Sequence, residues 1–127
     1  MYRMSVIQSS SAPRFTLPGL TVTGLASPSR GARETCVWRL ALAAHTPGTV
    51  HTVDREEIFV VLAGRAVATL DGDTLELSPG DALIVPAQRA FSLANPHPEV
   101  FEAIAVLPVG GLAAMPAGAP FAPPWTT

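Results

Sequence analysis

Two side chains six positions apart, His51 and Glu57, bring an imidazole and a carboxylate within range of one site. They share parity with Val53, Phe59 and Val61, so an unbroken strand turns all five to one side unless a turn through residues 54–56 resets the count. Such a pair can act as general base and orienting partner in proton abstraction, the chemistry of a metal-independent isomerase, epimerase or cyclase. It can equally satisfy itself inside a ligand pocket or a structural core. The carboxylate favours a protonated imidazole and desolvation opposes it, so the sequence leaves the direction of the His51 shift open.

Other residues with chemistry to offer are few. His45, at the end of a strand, and His97, in a loop after Asn95-Pro96, are the candidates for additional ligands. Arg39, Arg65 and Arg89 can each anchor a carboxylate or phenolate through a planar guanidinium, with surface charge as the alternative role. Arg39 stands out because Trp38, Leu40 and Leu42 give its strand an apolar opposite face. All eight basic residues are arginine, so Schiff-base chemistry, a phosphate-loop lysine and a lysine base are excluded. Cys36 is the only cysteine: it excludes an intrachain disulfide and is expected to be a buried, inert thiol.

These residues must be positioned by strands. Segments 20–25, 34–44, 57–63, 65–70, 74–77, 82–85, 90–94 and 100–107 read as short strands, and no segment sustains a helical period. Asp71-Gly72 favours a tight primed hairpin turn, while Ser78-Pro79-Gly80-Asp81 and Asn95-Pro96 mark further turns. At 127 residues the chain is expected to be one domain. It divides into an arm over 1–18, a barrel over 19–107 and a Pro/Gly/Ala-rich tail over 108–127. Phe121 and Trp125 are expected to dock that tail on the barrel or on a partner subunit.

The order of the motif residues resembles that of the cupin superfamily. His51, Val53, Glu57 and, after six intervening residues, Gly64 follow its first motif, with Val53 in place of a second His and only two residues between Gly48 and His51. Gly80, Pro86 and Asn95 keep the register of its second motif, with Gln88 in place of a Gly and Phe91 in place of a His. The resemblance implies an all-β fold, an antiparallel jelly-roll barrel, with the His51 and Glu57 side in the barrel interior. In typical cupins the two His, the Glu and the motif-two His hold one divalent metal, commonly iron, manganese, nickel or zinc. Here His51 and Glu57 remain as metal candidates, with His45 or His97 as extra ligands, and hydrocarbon stands at the other two positions.

The expectation is therefore an apolar cavity lined by Val53, Phe59, Val61, Phe91 and Arg39. It binds a small organic molecule, with His51 and Glu57 as candidate catalytic residues and no cofactor. A metal-dependent oxygenase, lyase or isomerase with an irregular ligand set, and a non-catalytic sensor or structural protein, are the alternatives. Ile58, Val60 and Leu62 make the second face of their strand apolar too, which points to a homodimer. A net charge of -2 without a basic run argues against nucleic acid and anionic membranes as partners. Without an apolar run of membrane-helix length or a leader-like N-terminus, a cytoplasmic location is expected.

Overall fold

A computed structural model describes residues 5–127. In chain order the strands are β1 (Arg14–Leu17), β2 (Leu20–Ala26), β3 (Thr35–Leu42), β4 (Thr52–Val53), β5 (Glu57–Ala63), β6 (Ala66–Leu70), β7 (Asp73–Leu77), β8 (Ala82–Val85), β9 (Phe91–Ala94), β10 (Phe101–Pro108) and β11 (Ala113–Ala114). All pairings are antiparallel. A six-stranded sheet runs β1-β2-β3-β10-β5-β8, a three-stranded sheet runs β7-β6-β9, and β4 pairs with β11. The result is the jelly-roll barrel expected from the motif order. Among the described residues no helix is long and apolar enough to cross a membrane.

Alternation along the central strands builds the interior. In β3, Cys36, Trp38, Leu40 and Leu42 point inward; in β5, Glu57, Phe59 and Val61 do; in β10, Phe101, Ala103, Ala105 and Leu107 do. Cross-strand register sets Ala105 between Trp38 and Phe59, and Ala103 between Leu40 and Val61. Methyl side chains on the middle strand leave room for the large neighbours to lie over them.

Local chemistry fixes the turns. Asp71 and Gly72 have φ of 50° and 87°, and Leu70 pairs directly with Asp73, so the hairpin closes through a two-residue primed turn. Gly64, at φ 74°, ends β5 where a Cβ would come within 2.2 Å of the Val100 carbonyl oxygen, so only glycine fits. Asn95 is fully buried. Its amide nitrogen donates to the carbonyls of Leu42, Ala43 and Glu99 at 3.1, 3.2 and 2.8 Å, and its side-chain oxygen accepts from the His97 backbone N–H at 3.0 Å. It clamps the end of β9 to the end of β3. Asn95→Ala would strand these groups in the interior, and chemical denaturation is expected to show a loss of about 3 kcal/mol.

One element departs from expectation. Part of the segment read as an arm is β1, which joins the large sheet through Leu17↔Leu20 across the Pro18-Gly19 turn. Phe15 supplies the reason, because it buries part of its ring against Trp125. Tyr2 of the same arm lies outside the described residues. The tail packs back over the barrel: Ala113 pairs with Val53 and with Phe121, and the Thr127 carbonyl accepts from Ser29 N–H and Ser27 Oγ.

Candidate functional site

Backbone pairing sets the imidazole. His51 N–H donates to the Phe91 carbonyl at 3.0 Å and Phe91 N–H returns the bond at 3.0 Å, which locks the two residues side by side. Their rings stack at a tilt of 49° with centroids 4.4 Å apart. His51 Nδ1 lies 2.9 Å from the Thr49 carbonyl oxygen. A carbonyl only accepts, so Nδ1 carries the hydrogen and the neutral ring keeps its free lone pair on Nε2.

Glu57 opens β5 and is only 5% exposed. Among the described residues no hydrogen bond or ion pair reaches its carboxyl, and burial alone pushes its pKa from 4.5 to about 8. At neutral pH it is a carboxylic acid, a hydrogen-bond donor rather than an anion. His51 and Glu57 both face one cavity, yet no hydrogen bond joins them. The mutual pairing considered from the sequence is not made: Thr49 takes the imidazole, and the carboxyl has no partner among the described residues.

The cavity measures about 720 Å³. Trp38, Leu40, Phe59 and Phe91 form its barrel walls, Phe15 enters from β1, and the tail contributes Met115, Phe121 and Trp125. Parity across the turn at residues 54–56 is kept, since His51, Val53, Glu57 and Phe59 all line it. Trp125 packs edge-on to Phe15 at 6.0 Å and lies 6.2 Å from Trp38, so the tail closes one side with an aromatic cluster. Cys36 is buried beneath it with Sγ 3.5 Å from the Thr126 carbonyl, and burial raises the thiol pKa against a smaller opposing pull from Arg30.

Several sequence expectations are corrected. Arg39 does not enter the cavity: its neighbours Trp38 and Leu40 point in, so it points out and pairs with Glu102 at 3.2 Å. Val61 shares the inward face but is covered by core packing and is not part of the cavity wall. His45 and His97 lie outside it. The His45 N–H donates to the His97 carbonyl at 3.2 Å, and His97 Nε2 approaches Glu76 Oε1 at 3.8 Å, which fixes both in the outer loops. Arg89 pairs with Asp71 at the hairpin turn. Gln88, where the motif has glycine, adopts φ 66°. Phe15, Met115, Phe121 and Trp125 were not read as site residues. The signal for the last two was their presence in an otherwise Pro/Gly/Ala-rich tail.

A metal of the kind the resemblance implies would need four donors. His51 Nε2 and the Glu57 carboxyl are present, Val53 and Phe91 offer hydrocarbon, and no group of three His, Cys, Asp or Glu clusters among the described residues. Tightly held transition metals take three or four protein ligands. These donors do not fit that group.

Comparison with known proteins places this architecture. Residues 37–107 match the family described as Cupin domain. A 67-residue stretch is 37% identical to the β-conglycinin β subunit 1 of Glycine max, covering 47% of this chain and 15% of that protein, so the chain spans a small part of that relative. The polyketide cyclase RemF from Streptomyces resistomycificus superposes with a TM-score of 0.74 at 18% identity, over 84% of this chain and 80% of that one. KdgF from Halomonas sp. superposes with a TM-score of 0.72 at 20% identity, over 84% and 94%. At these identities the structural likenesses speak for the fold alone. With residues 37–107, more than half its length, matched by the family, the chain belongs to the cupin family.

Proposed function

We propose that this cupin binds a small organic molecule in its apolar cavity and performs metal-independent acid–base chemistry on it. The observation that carries the reading is the Glu57 carboxyl, buried without a hydrogen-bond or ion-pair partner among the described residues, on a cavity whose wall also holds the His51 imidazole. The two groups offer complementary chemistry. Glu57 holds a proton to give at neutral pH, and the neutral His51 tautomer set by Thr49 has a lone pair on Nε2 to receive one.

For a ligand with a carbonyl and an adjacent C–H, Nε2 takes the carbon-bound hydrogen while the Glu57 proton passes to the carbonyl oxygen, giving an enol and leaving the carboxylate. Reprotonation at carbon, with return of the oxygen-bound proton to Glu57, completes an isomerisation. An enol carbon that instead attacks a second carbonyl closes a ring, with the enol O–H proton returning to the Glu57 carboxylate and the proton held on His51 Nε2 passing to the new alkoxide oxygen. The cyclase activity named for RemF is compatible with this chemistry.

The test is hydrogen–deuterium exchange at the α-carbon of 2-tetralone, a bicyclic ketone, followed by NMR in D₂O. The protein is expected to accelerate exchange over buffer, and His51→Ala and Glu57→Gln are each expected to lower the rate on the order of 100-fold. Exchange no faster than in buffer would reduce the reading to ligand binding. Exchange that requires an added divalent metal would favour the metal-dependent alternative.

The reading includes a homodimer in the cytoplasm. Val60, Leu62 and Ile84 are 38%, 43% and 57% exposed on the outer face of β5 and β8, where Ile58 pairs with Ile84. A second copy would cover this apolar face. Sedimentation is expected to give a dimer at micromolar concentration and a monomer for Ile84→Arg; a wild-type monomer at high micromolar concentration would count against it.

A further inference from the structure

The wall of the cavity says more about its occupant than its size does. Both tryptophans and four of the five phenylalanines of the chain line it, while none of the seven arginines among the described residues does. The polar side-chain groups in the wall are the hydroxyls of Thr16, Thr46 and Thr49, the His51 edge, the Glu57 carboxyl and the indole N–H groups of Trp38 and Trp125, and among the described residues the Trp125 N–H is buried without a partner. Among the described residues an anionic ligand would find no arginine in the wall to replace its lost hydration, and burying an unpaired charge costs far more than burying a hydrogen-bonded polar group. The aromatic residues fall into two tilted clusters. Phe15, Trp125 and Trp38 form one, with centroids 6.0 and 6.2 Å apart; His51, Phe91 and Phe59 form the other, with centroids 4.4 and 5.9 Å apart. Register spaces Trp38 and Phe59 two strands apart with only the Ala105 methyl between them.

We propose that the ligand is an uncharged, flat, fused-ring aromatic molecule, held between the Trp38–Trp125 and Phe59–Phe91 clusters by ring contacts and oriented by a hydrogen bond between one polar substituent and Glu57. Offset and edge-to-face ring contacts reward a flat arene over a saturated ring system of the same carbon skeleton. A volume of about 720 Å³ lies in the range that encloses a multi-ring organic molecule. The C-terminal segment bounds part of the cavity through Met115, Phe121 and Trp125. This proposal rests on the ligand-binding half of the function proposed above and not on its chemistry.

Three probes of one carbon skeleton separate charge from flatness: 2-naphthamide, 2-naphthoate and decahydro-2-naphthol. Because Trp38 and Trp125 are the only tryptophans and both line the cavity, intrinsic fluorescence reports occupancy directly. At pH 6.5, 2-naphthamide is expected to quench it, with a dissociation constant on the order of 100 µM or lower. The isosteric 2-naphthoate is expected to bind at least ~10-fold more weakly, and decahydro-2-naphthol at least ~3-fold more weakly. A shift of the Met115 methyl resonance with the amide places the probe in the cavity without relying on any variant.

Equal or tighter binding of 2-naphthoate would overturn the claim about charge. Equal binding of the saturated alcohol would overturn the claim about aromatic contact, and failure of all three to bind would overturn both. Amide binding without accelerated tetralone exchange leaves the ligand class standing and removes the acid–base reading. Tetralone exchange with preferential naphthoate binding does the reverse.

Discussion

Glu57→Gln is expected to leave thermal stability near that of wild type at pH 4.5 and to exceed it by a growing margin as the pH rises to 8. The folded protein keeps the Glu57 proton up to about pH 8, whereas the unfolded chain releases it near 4.5. The folded state thus binds more protons across that window, and wild-type stability falls as the pH rises. This contribution is fully present below the unfolded value and is lost once the pH passes the folded one. Glutamine has the shape of the neutral acid and cannot ionise, so it escapes the loss. Other groups titrate alike in both proteins, and the difference between the two melting curves isolates this carboxyl. The gap at pH 9 is expected to reach several kcal/mol, a Tm difference on the order of 10 °C. Parallel curves across the range would mean that the carboxyl ionises normally, against the cavity described above.

The second large effect is expected at the far end of the chain. Trp125→Ala removes the ring that bridges Phe15 and Trp38 and opens the tail side of the cavity. Large-to-small changes at packed aromatic positions remove both transfer energy and close contacts, and for this half-buried ring a loss of about 3 kcal/mol is expected. Thermal melts are then expected to shift down by about 10 °C. The remaining Trp38 fluorescence should move to longer wavelength as water reaches it. A small change in Tm would show that the tail lies loosely on the barrel, in conflict with its bonds from Ser27, Ser29 and Cys36 to Thr127 and Thr126.

The barrel was legible in the chain because its signals are local. Asp71-Gly72 has one hairpin solution; the run from Glu57 to Ala63 must be a strand; and Gly64, Gly80 and Asn95 sit at turns whose backbone demands are strict. The direction of Arg39 was also legible in principle, since alternation with Trp38 and Leu40 requires it to point away from them. Its guanidinium chemistry made it an attractive ligand anchor, but strand geometry decides the matter. What no local pattern could supply is contact between distant segments. Phe15 and Trp125 are 110 positions apart and meet only because β1 and the tail converge on β2 and β3. The state of Glu57 was hidden for the same reason: its pKa depends on which side chains surround it, and those come from several strands and from the tail.

The central claim is that Glu57 is a neutral acid facing an apolar cavity, and the direct test is a ¹³C NMR titration of its carboxyl, assigned by the signal missing in Glu57→Gln and recorded without added metal. The account predicts a midpoint at about pH 8. A midpoint at or below 4.5 would contradict it, because a carboxylate that stays ionised must be paired with a cation or open to water.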